Sequence, residues 1–295
     1  MILVTGGAGF IGSHLVEELL RQGRRVRIVD DLSTGKRENV RAELVECDVS
    51  KAPLDDVDVV FHLAAIPSVP RSVERPLESH RATAQGTLAV LAAAESAGVR
   101  RLVFASSSSV YGDTPTLPKH EAMPPRPLSP YAAAKLAGEW YARSWAARGT
   151  LETVSLRFFN VYGPRQDPDS PYAAVIPIFL RRLREGRPMP VYGDGGQTRD
   201  FTYVADVVDG LLRAGSAPGI SGRVYNAAGG RPVSVLDLGR TLAAILGKAP
   251  DFEFRPPRSG DVRDSYADVA AARRDLGFAA AVRLDEGLRR TVESP

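Results

Sequence analysis

An α/β fold is predicted for this 295-residue chain: a doubly wound parallel sheet followed by a smaller C-terminal α/β lobe. Three observations predict it. Short apolar runs alternate with longer helix-like segments through the first half, the pattern of parallel strands with helices on both faces. The glycine-rich stretch Gly6-Gly-Ala-Gly-Phe-Ile-Gly12 joins the first apolar run to the first amphipathic segment. From about Gly163 the texture changes, and Pro164, Pro168, Pro171, Pro177, Pro188, Pro190, Gly193, Gly195 and Gly196 break the chain into shorter elements.

Taken in order, Ile2–Val4 reads as a strand and Ser13–Gln22 as a helix closed by Gly23, since glycine adopts the left-handed conformation that ends helices. Arg25–Val29, Leu44–Val45 and Val57–Phe61 read as strands. Thr83–Ser96, rich in Ala and Leu, reads as a helix stopped at Gly98. Arg101–Ala105 follows as a strand, Tyr131–Ala147 as a long helix and Leu151–Phe159 as a strand. Further helices are expected at Ala174–Glu185, Val204–Ala214, Val235–Leu246 and Asp268–Leu276, with a strand at Arg223–Ala227 returning to the first sheet. Residues 1–163, with a return segment near 200–227, are thus expected to form one domain and residues 164–295 a second. There is no internal repeat.

Composition narrows the function classes. Apolar content of 44% and charged content of 25% are those of a soluble globular protein. No apolar run approaches the roughly 18 residues that span a membrane, and no leader pattern precedes the first strand. A cytoplasmic protein with no membrane partner is expected. The single cysteine, Cys47, has no internal partner, which agrees with a reducing compartment, and it ends an apolar run as core filler does. Net charge is only +3, lysines number five, and the arginines are dispersed. That argues against nucleic acid and suits an anionic small molecule, because guanidinium grips phosphate bidentately. His14, His62, His80 and His120 have neither ligand spacing nor Cys partners, so no metal site is expected.

Gly7-x-Gly9-x-x-Gly12 follows a strand and opens a helix, the context that gives this motif its meaning. Glycine removes Cβ where the turn is tight and where a pyrophosphate nears the backbone, and the helix start supplies N–H groups and a favourable dipole. The first lobe is therefore read as a Rossmann-type dinucleotide-binding sheet. Strand two ends in Asp30-Asp31, acids placed to accept ribose hydroxyls and to repel a 2′-phosphate, so NAD is favoured over NADP.

Tyr131 and Lys135 sit four apart on one helix face. A free tyrosine has a pKa of about 10, and an adjacent ammonium or the positive ring of NAD⁺ favours its phenolate, so the pair can work as general base and acid. Alone, such a pair could be a surface pair. The serines Ser106 to Ser109 end the preceding strand, at the sheet edge where ligands bind.

Thr5-Gly-Gly-Ala-Gly-Phe-Ile-Gly12, Phe61-His-Leu-Ala-Ala65, Ser106-Ser-Ser-Ser-Val-Tyr-Gly112, Tyr131-x-x-x-Lys135 and Arg157-Phe-Phe-Asn160 together resemble the extended short-chain dehydrogenase/reductase family, and within it the UDP-glucose and UDP-N-acetylglucosamine 4-epimerases. The resemblance continues through Arg199-Asp-Phe201 and Gly260–Asp268 and covers nearly the whole chain. It implies NAD held tightly by Gly6, Gly9, Phe10, Ile11, Gly12, Asp30, Asp31, Ser33, Thr34, Gly35, Asp48, Val49, Leu63, Ala64, Ala65, Tyr131, Lys135 and Phe159. It implies a UDP-sugar held in the second lobe and at the sheet edge by Ser107, Ser108, Tyr131, Asn160, Ala174, Val175, Val191, Tyr192, Arg199, Arg258, Asp261 and Ser265. It also implies catalytic roles: Tyr131 as base, Ser107 on the same substrate oxygen, and Lys135 on the cofactor ribose while lowering the tyrosine pKa. Similar proteins pair through two long helices, here those near Thr83–Ser96 and Tyr131–Ala147, so a homodimer is expected. Thr83 stands where such proteins place an asparagine on the cofactor side.

The same comparison separates reactions. The 4,6-dehydratases carry an Asp-Glu pair just before Val-Tyr-Gly, and the similar decarboxylases a glutamate; here Ser108 and Ser109 stand instead, which leaves epimerisation. Pro164–Pro168 and Tyr172–Pro177 resemble UDP-N-acetylhexosamine 4-epimerases. Ser265 occupies the place of a bulky tyrosine in strict UDP-glucose enzymes, and Ala174 is also small, leaving room for an acetamido group without excluding the plain hexose. Tyr172–Pro177 contains no basic residue for a sugar carboxylate, so UDP-glucuronate ranks lower. Two other classes remain open: a reductase with net redox turnover, and a non-catalytic nucleotide-binding protein on the same fold.

Overall fold

The computed structural model describes residues 1–167, 174–257 and 262–294. The first half runs β1 (Ile2–Thr5), α1 (Phe10–Arg21), β2 (Val26–Asp30), β3 (Glu43–Glu46), β4 (Val59–His62), α2 (Val69–Glu74), α3 (Pro76–His80), a π-helical turn at Arg81–Gln85, α4 (Gly86–Ser96), β5 (Arg101–Ser107), α5 (Pro130–Arg148) and β6 (Glu152–Phe158). Then come β7 (Val161–Tyr162), α6 (Val175–Arg184), β8 (Met189–Tyr192), β9 (Thr198–Asp200), β10 (Thr202–Tyr203), α7 (Val204–Ser216) and β11 (Arg223–Ala227). The chain closes with β12 (Pro232–Ser234), α8 (Val235–Ile245), β13 (Phe252–Arg255), β14 (Asp264–Ser265), α9 (Ala270–Leu276) and α10 (Leu284–Glu293).

Seven strands form one parallel sheet in the order β11-β6-β5-β4-β1-β2-β3. The order reverses between β1 and β4, and in open α/β sheets that reversal opens a crevice beyond the carboxyl ends of the strands. Alternation along each strand feeds two cores. Ile2 and Val4 of β1 pack with Leu15 and Leu19 of α1 and with Val207 and Leu211 of α7. Leu3 points the other way, to Val90 and Leu91 of α4. A sheet covered on both faces explains why its strands read as continuous apolar runs.

A separate core lies among α6, β8, α8 and α10, around Phe179, Val191, Leu238, Leu242 and Leu288. The chain does not leave the first core for good, however. Tyr225 of β11, Leu276 of α9 and Phe278 all pack in the core that holds β1 and α1. Among the described residues no helix is long and apolar enough to cross a membrane.

Three features differ from the sequence reading. The helix expected to open at Thr83 is preceded by α2, α3 and the π turn. Pro70 and Pro76 each occupy a first helical turn, where the missing N–H has no partner to lose. The C-terminal helix α10 went unseen because little more than Gly287 and Leu288 is buried in it. The two- and three-residue strands of the second lobe are too short to carry a periodic signal.

Candidate active site

The sequence Ser129-Pro130-Tyr131 fixes where the catalytic helix begins. Ser129 Oγ accepts the N–H of Ala132 at 3.1 Å, and Pro130 takes the first helical position, so Tyr131 falls in the first turn. Gly138 lets α5 lie low over β5: a Cβ there would stand 2.5 Å from the Phe104 ring. At that depth Lys135 Nζ donates to Ala105 O at 2.7 Å and lies 5.0 Å from the Phe104 ring centroid and 6.0 Å from that of Tyr131. Ser107 stands beside the Tyr131 hydroxyl, where it favours the phenolate. Ser107 Oγ also accepts from Ser109 N at 3.2 Å and donates to Ser109 Oγ at 3.1 Å, which holds the turn over Ser108–Tyr111. Ser108, at the start of that turn, is half-buried. The three catalytic candidates thus meet at the carboxyl end of β5.

Their electrostatics differ from the expectation. Burial is the largest influence on Tyr131 and pushes it up to about 12, with only the Ser107 hydrogen bond acting downward. Burial also pushes Lys135 down to about 7, opposed by the charge of Glu139. In the protein alone burial works against the Lys135 ammonium, which weakens its help to the phenolate. Positive charge on a bound group would favour the phenolate further.

The glycine turn lies beside this constellation. Gly6 has φ of +69°, and a Cβ on Gly12 would stand 2.1 Å from Gly6 O, so α1 starts against bare backbone. Asp30 is buried, and its carboxylate accepts Ala8 N and Leu32 N, each at 2.9 Å. It ties the turn to the loop after β2. Desolvation raises its pKa. Asp31 is exposed and accepts Ser33 N (2.9 Å) and Ser33 Oγ (2.6 Å). Thr34 is exposed, and Gly35 folds back so that a Cβ on it would reach Asp30 Oδ1 at 2.7 Å. Phe10 and Ile11 are half-buried at the head of α1. Asp48 caps a short turn by accepting Ser50 N at 2.8 Å, and Val49 lies where a Cβ on Gly86 would touch it. Leu63, Ala64 and Ala65 leave β4 half-buried, with Ala64 N directed to Thr5 Oγ1 at 3.3 Å. Phe159, directly after β6, is fully buried, its ring 6.1 Å from that of Tyr111. A Cβ-free cradle at a helix start, with acids beyond the second strand, fits a dinucleotide.

Below the cradle, His62 is fully buried. Thr87 Oγ1 donates to Thr83 O at 2.6 Å and so accepts from His62 Nε2 at 3.0 Å. His62 Nδ1 then accepts from Thr5 Oγ1 at 2.7 Å, which assigns the neutral Nε2–H tautomer from the network. Burial holds this imidazole down to about 3. Thr83 Oγ1 is buried without a partner among the described residues.

The second-lobe candidates gather around a cavity of about 250 Å³, whose lining includes Asn160, Ala174, Val175, Tyr192 and Arg199. Asn160 has φ of +22°, a conformation held at few non-glycine positions. Val191 is buried in β8 behind Tyr192. Ser265 pairs with Arg199 across β14 and β9 and is half-buried. Arg258, Asp261 and Tyr172 lie outside the described residues. Gln166 and Gln197 were missed. Both line the cavity, and their amide oxygens are buried without partners among the described residues while the amide nitrogens donate to Val161 O and Tyr192 O. Glutamine between glycine and threonine carries no signal from sequence alone. A larger groove, about 540 Å³, is lined by Arg231, Thr241 and Arg283 and holds none of the candidates.

Residues 2–228 match the NAD dependent epimerase/dehydratase family. A UDP-glucose 4-epimerase of Mycolicibacterium smegmatis is 43% identical over 305 residues, covering 99% of this chain and 97% of that protein. A solved UDP-N-acetylglucosamine 4-epimerase from Methanobrevibacter ruminantium M1, in complex with UDP-N-acetylmuramic acid, matches with a TM-score of 0.95 at 37% identity, covering 99% of this chain and 96% of its own. The UDP-glucose 4-epimerase of Thermotoga maritima, solved with UDP-glucose, matches with a TM-score of 0.95 at 39% identity, covering 99% and 97%.

Proposed function

The chain belongs to the NAD-dependent epimerase/dehydratase family, and from that premise we propose that it interconverts 4-epimers of UDP-hexoses with tightly held NAD, acting on UDP-GlcNAc and UDP-GalNAc and also on UDP-Glc and UDP-Gal. The observation that carries the reading is the meeting of Ser107, Tyr131 and Lys135 at the end of β5, beside the glycine cradle. Bound NAD supplies the hydride acceptor and a positive charge. Tyr131 takes the proton of the sugar 4-hydroxyl and later returns it. Ser107 hydrogen-bonds the same oxygen. Lys135 would hold the cofactor ribose. Epimerisation would then ask of the pocket room for the oxidised sugar to turn about its phosphate linkage and present its other face.

Ser108 and Ser109 support epimerisation over elimination, since Ser109 is occupied in holding Ser107 and neither hydroxyl has the acidity to expel water. The small Ser265 beside Arg199 supports the N-acetylated substrate. We further assign the protein to the cytoplasm, on its unpaired Cys47, and to a homodimer, on exposed Val73, Leu77, Leu88 and Trp140 on or against α5.

The test is incubation of purified protein, without added NAD, with UDP-GlcNAc and separately with UDP-Glc, the epimers being resolved by proton NMR. Formation of UDP-GalNAc supports the whole reading. Conversion of UDP-Glc alone keeps the mechanism and removes the role of Ser265. No product from either, with NAD present in the protein, points to UDP-glucuronate and removes the hexose assignment.

A further inference from the structure

Consecutive residues at the end of β5 are hooked to residues of α5 spaced four apart. Ala105 O accepts from Lys135 Nζ at 2.7 Å, Ser106 Oγ donates to Glu139 Oε1 at 2.5 Å, and Ser107 stands beside the Tyr131 hydroxyl. Glu139 in turn receives a bidentate pair from Arg157 of β6, Nε to Oε1 at 2.9 Å and Nη2 to Oε2 at 2.7 Å. Ser106, Glu139 and Arg157 are 3%, 3% and 4% exposed. The guanidinium lies 4.5 Å from the Tyr111 ring centroid, and its Nη1 has no partner among the described residues.

An ion pair withdrawn this far from water is at best near neutral against apolar packing. Stability is therefore a poor account of why acid and guanidinium stand here. Lys135 gives a better one. Its burial works against its charge, and Glu139, one helical turn on, is the acid that acts the other way. The remaining titratable groups around Lys135 do not replace it. Tyr131 is neutral in the protein alone, His62 on β4 is held neutral by burial, and Arg157 on β6 is turned to Glu139.

Resting on the epimerase reading above, we propose that Glu139 is a positioning residue for the reaction. It keeps Lys135 an ammonium, and through Ser106 it holds the end of β5 so that Ser107 and Tyr131 stay on one substrate oxygen. Arg157 fixes the plane of its carboxylate, which a bidentate guanidinium does well.

With five lysines in the chain, protein labelled with ¹³C at lysine Cε gives one resonance per lysine, and Lys135→Arg assigns the one of interest. The NAD-containing protein is titrated. In Glu139→Gln the Lys135 midpoint is expected to fall by about one pH unit or more, the shift an opposite charge at this range produces. Ser106→Ala, which leaves the ion pair in place, is expected to keep that midpoint and to lower kcat about tenfold at unchanged KM. An unmoved midpoint in folded Glu139→Gln overturns the charge role, and an unmoved kcat in Ser106→Ala overturns the strand role. If Glu139→Gln does not fold because Arg157 is left unpaired, Glu139→Gln/Arg157→Met removes both charges, and the same fall or its absence decides. The midpoint is read without turnover, so the two readings fail separately. A shifted midpoint with no epimerisation sinks the function alone, and turnover with an unshifted midpoint sinks the role of Glu139 alone.

Discussion

Tyr131 carries the proton in the proposed reaction, and its environment makes its removal informative. Tyr131→Phe keeps the ring in its buried place and deletes only the acid. Turnover is expected to fall by at least about 100-fold, the lower range for a lost general base, while NAD measured after denaturation stays in the protein. Retained turnover would contradict the assignment. Ser265→Tyr places a large ring beside Arg199. The rate on UDP-GlcNAc relative to UDP-Glc is expected to drop about tenfold or more, and competition between the two substrates followed by NMR checks it. His62 makes a pH prediction. Its pKa in the folded protein, about 3, lies below the ordinary value of 6.5. The unfolded chain therefore binds the proton more tightly. The stability owed to the neutral ring is fully present above pH 6.5 and is lost as pH falls toward 3, about 5 kcal/mol over that window. Melting temperatures at pH 7, 5 and 4 should fall steeply in the native protein and less steeply in His62→Asn.

At the scale of elements, the glycine turn and α1 stand or fall together. Gly12→Ala drives a Cβ to within 2.1 Å of Gly6 O, a backbone atom that cannot step aside. The helix start must move, at a cost of about 2 kcal/mol or more, and the purified variant is expected to melt several degrees lower and to arrive with little NAD. This element was legible in the sequence because steric need and residue type coincide there: only glycine fits. Tyr131 and Lys135 were legible for a similar reason, with Ser129 and Pro130 announcing the helix that carries them. The buried charge of Glu139 was not, since one more acid on a helix reads as solvated surface until β6 brings Arg157 opposite it. Nor was the pKa order of the catalytic pair, which depends on how deep Gly138 lets the helix sink. In the second lobe Tyr192 and Arg199 could be read by chemistry, while Gln166 and Gln197 take their meaning from a cavity that no local pattern describes.

For the whole molecule, assembly is the open property that a single change can probe. Trp140 of α5 is 55% exposed, and Val73 and Leu77, at 64% and 73%, sit on helices packed against α5. Large apolar side chains exposed on neighbouring helices suit the proposed dimer surface. Trp140→Glu should convert a dimer to a monomer in light scattering coupled to size exclusion, with NAD still bound; a native protein that is already monomeric would refute the homodimer. The path of the chain through its two cores has a consequence for the newly made protein. Helix α7 and strand β11 follow α6, β8, β9 and β10 in the chain, and Phe278 packs in the core around β1. Until those residues are made, β6 is an unpaired edge, and the face that α1 covers lacks α7. An open edge is a template for pairing with other chains, so the growing chain is most exposed to mispairing between the completion of β6 at Phe158 and that of β11 at Ala227.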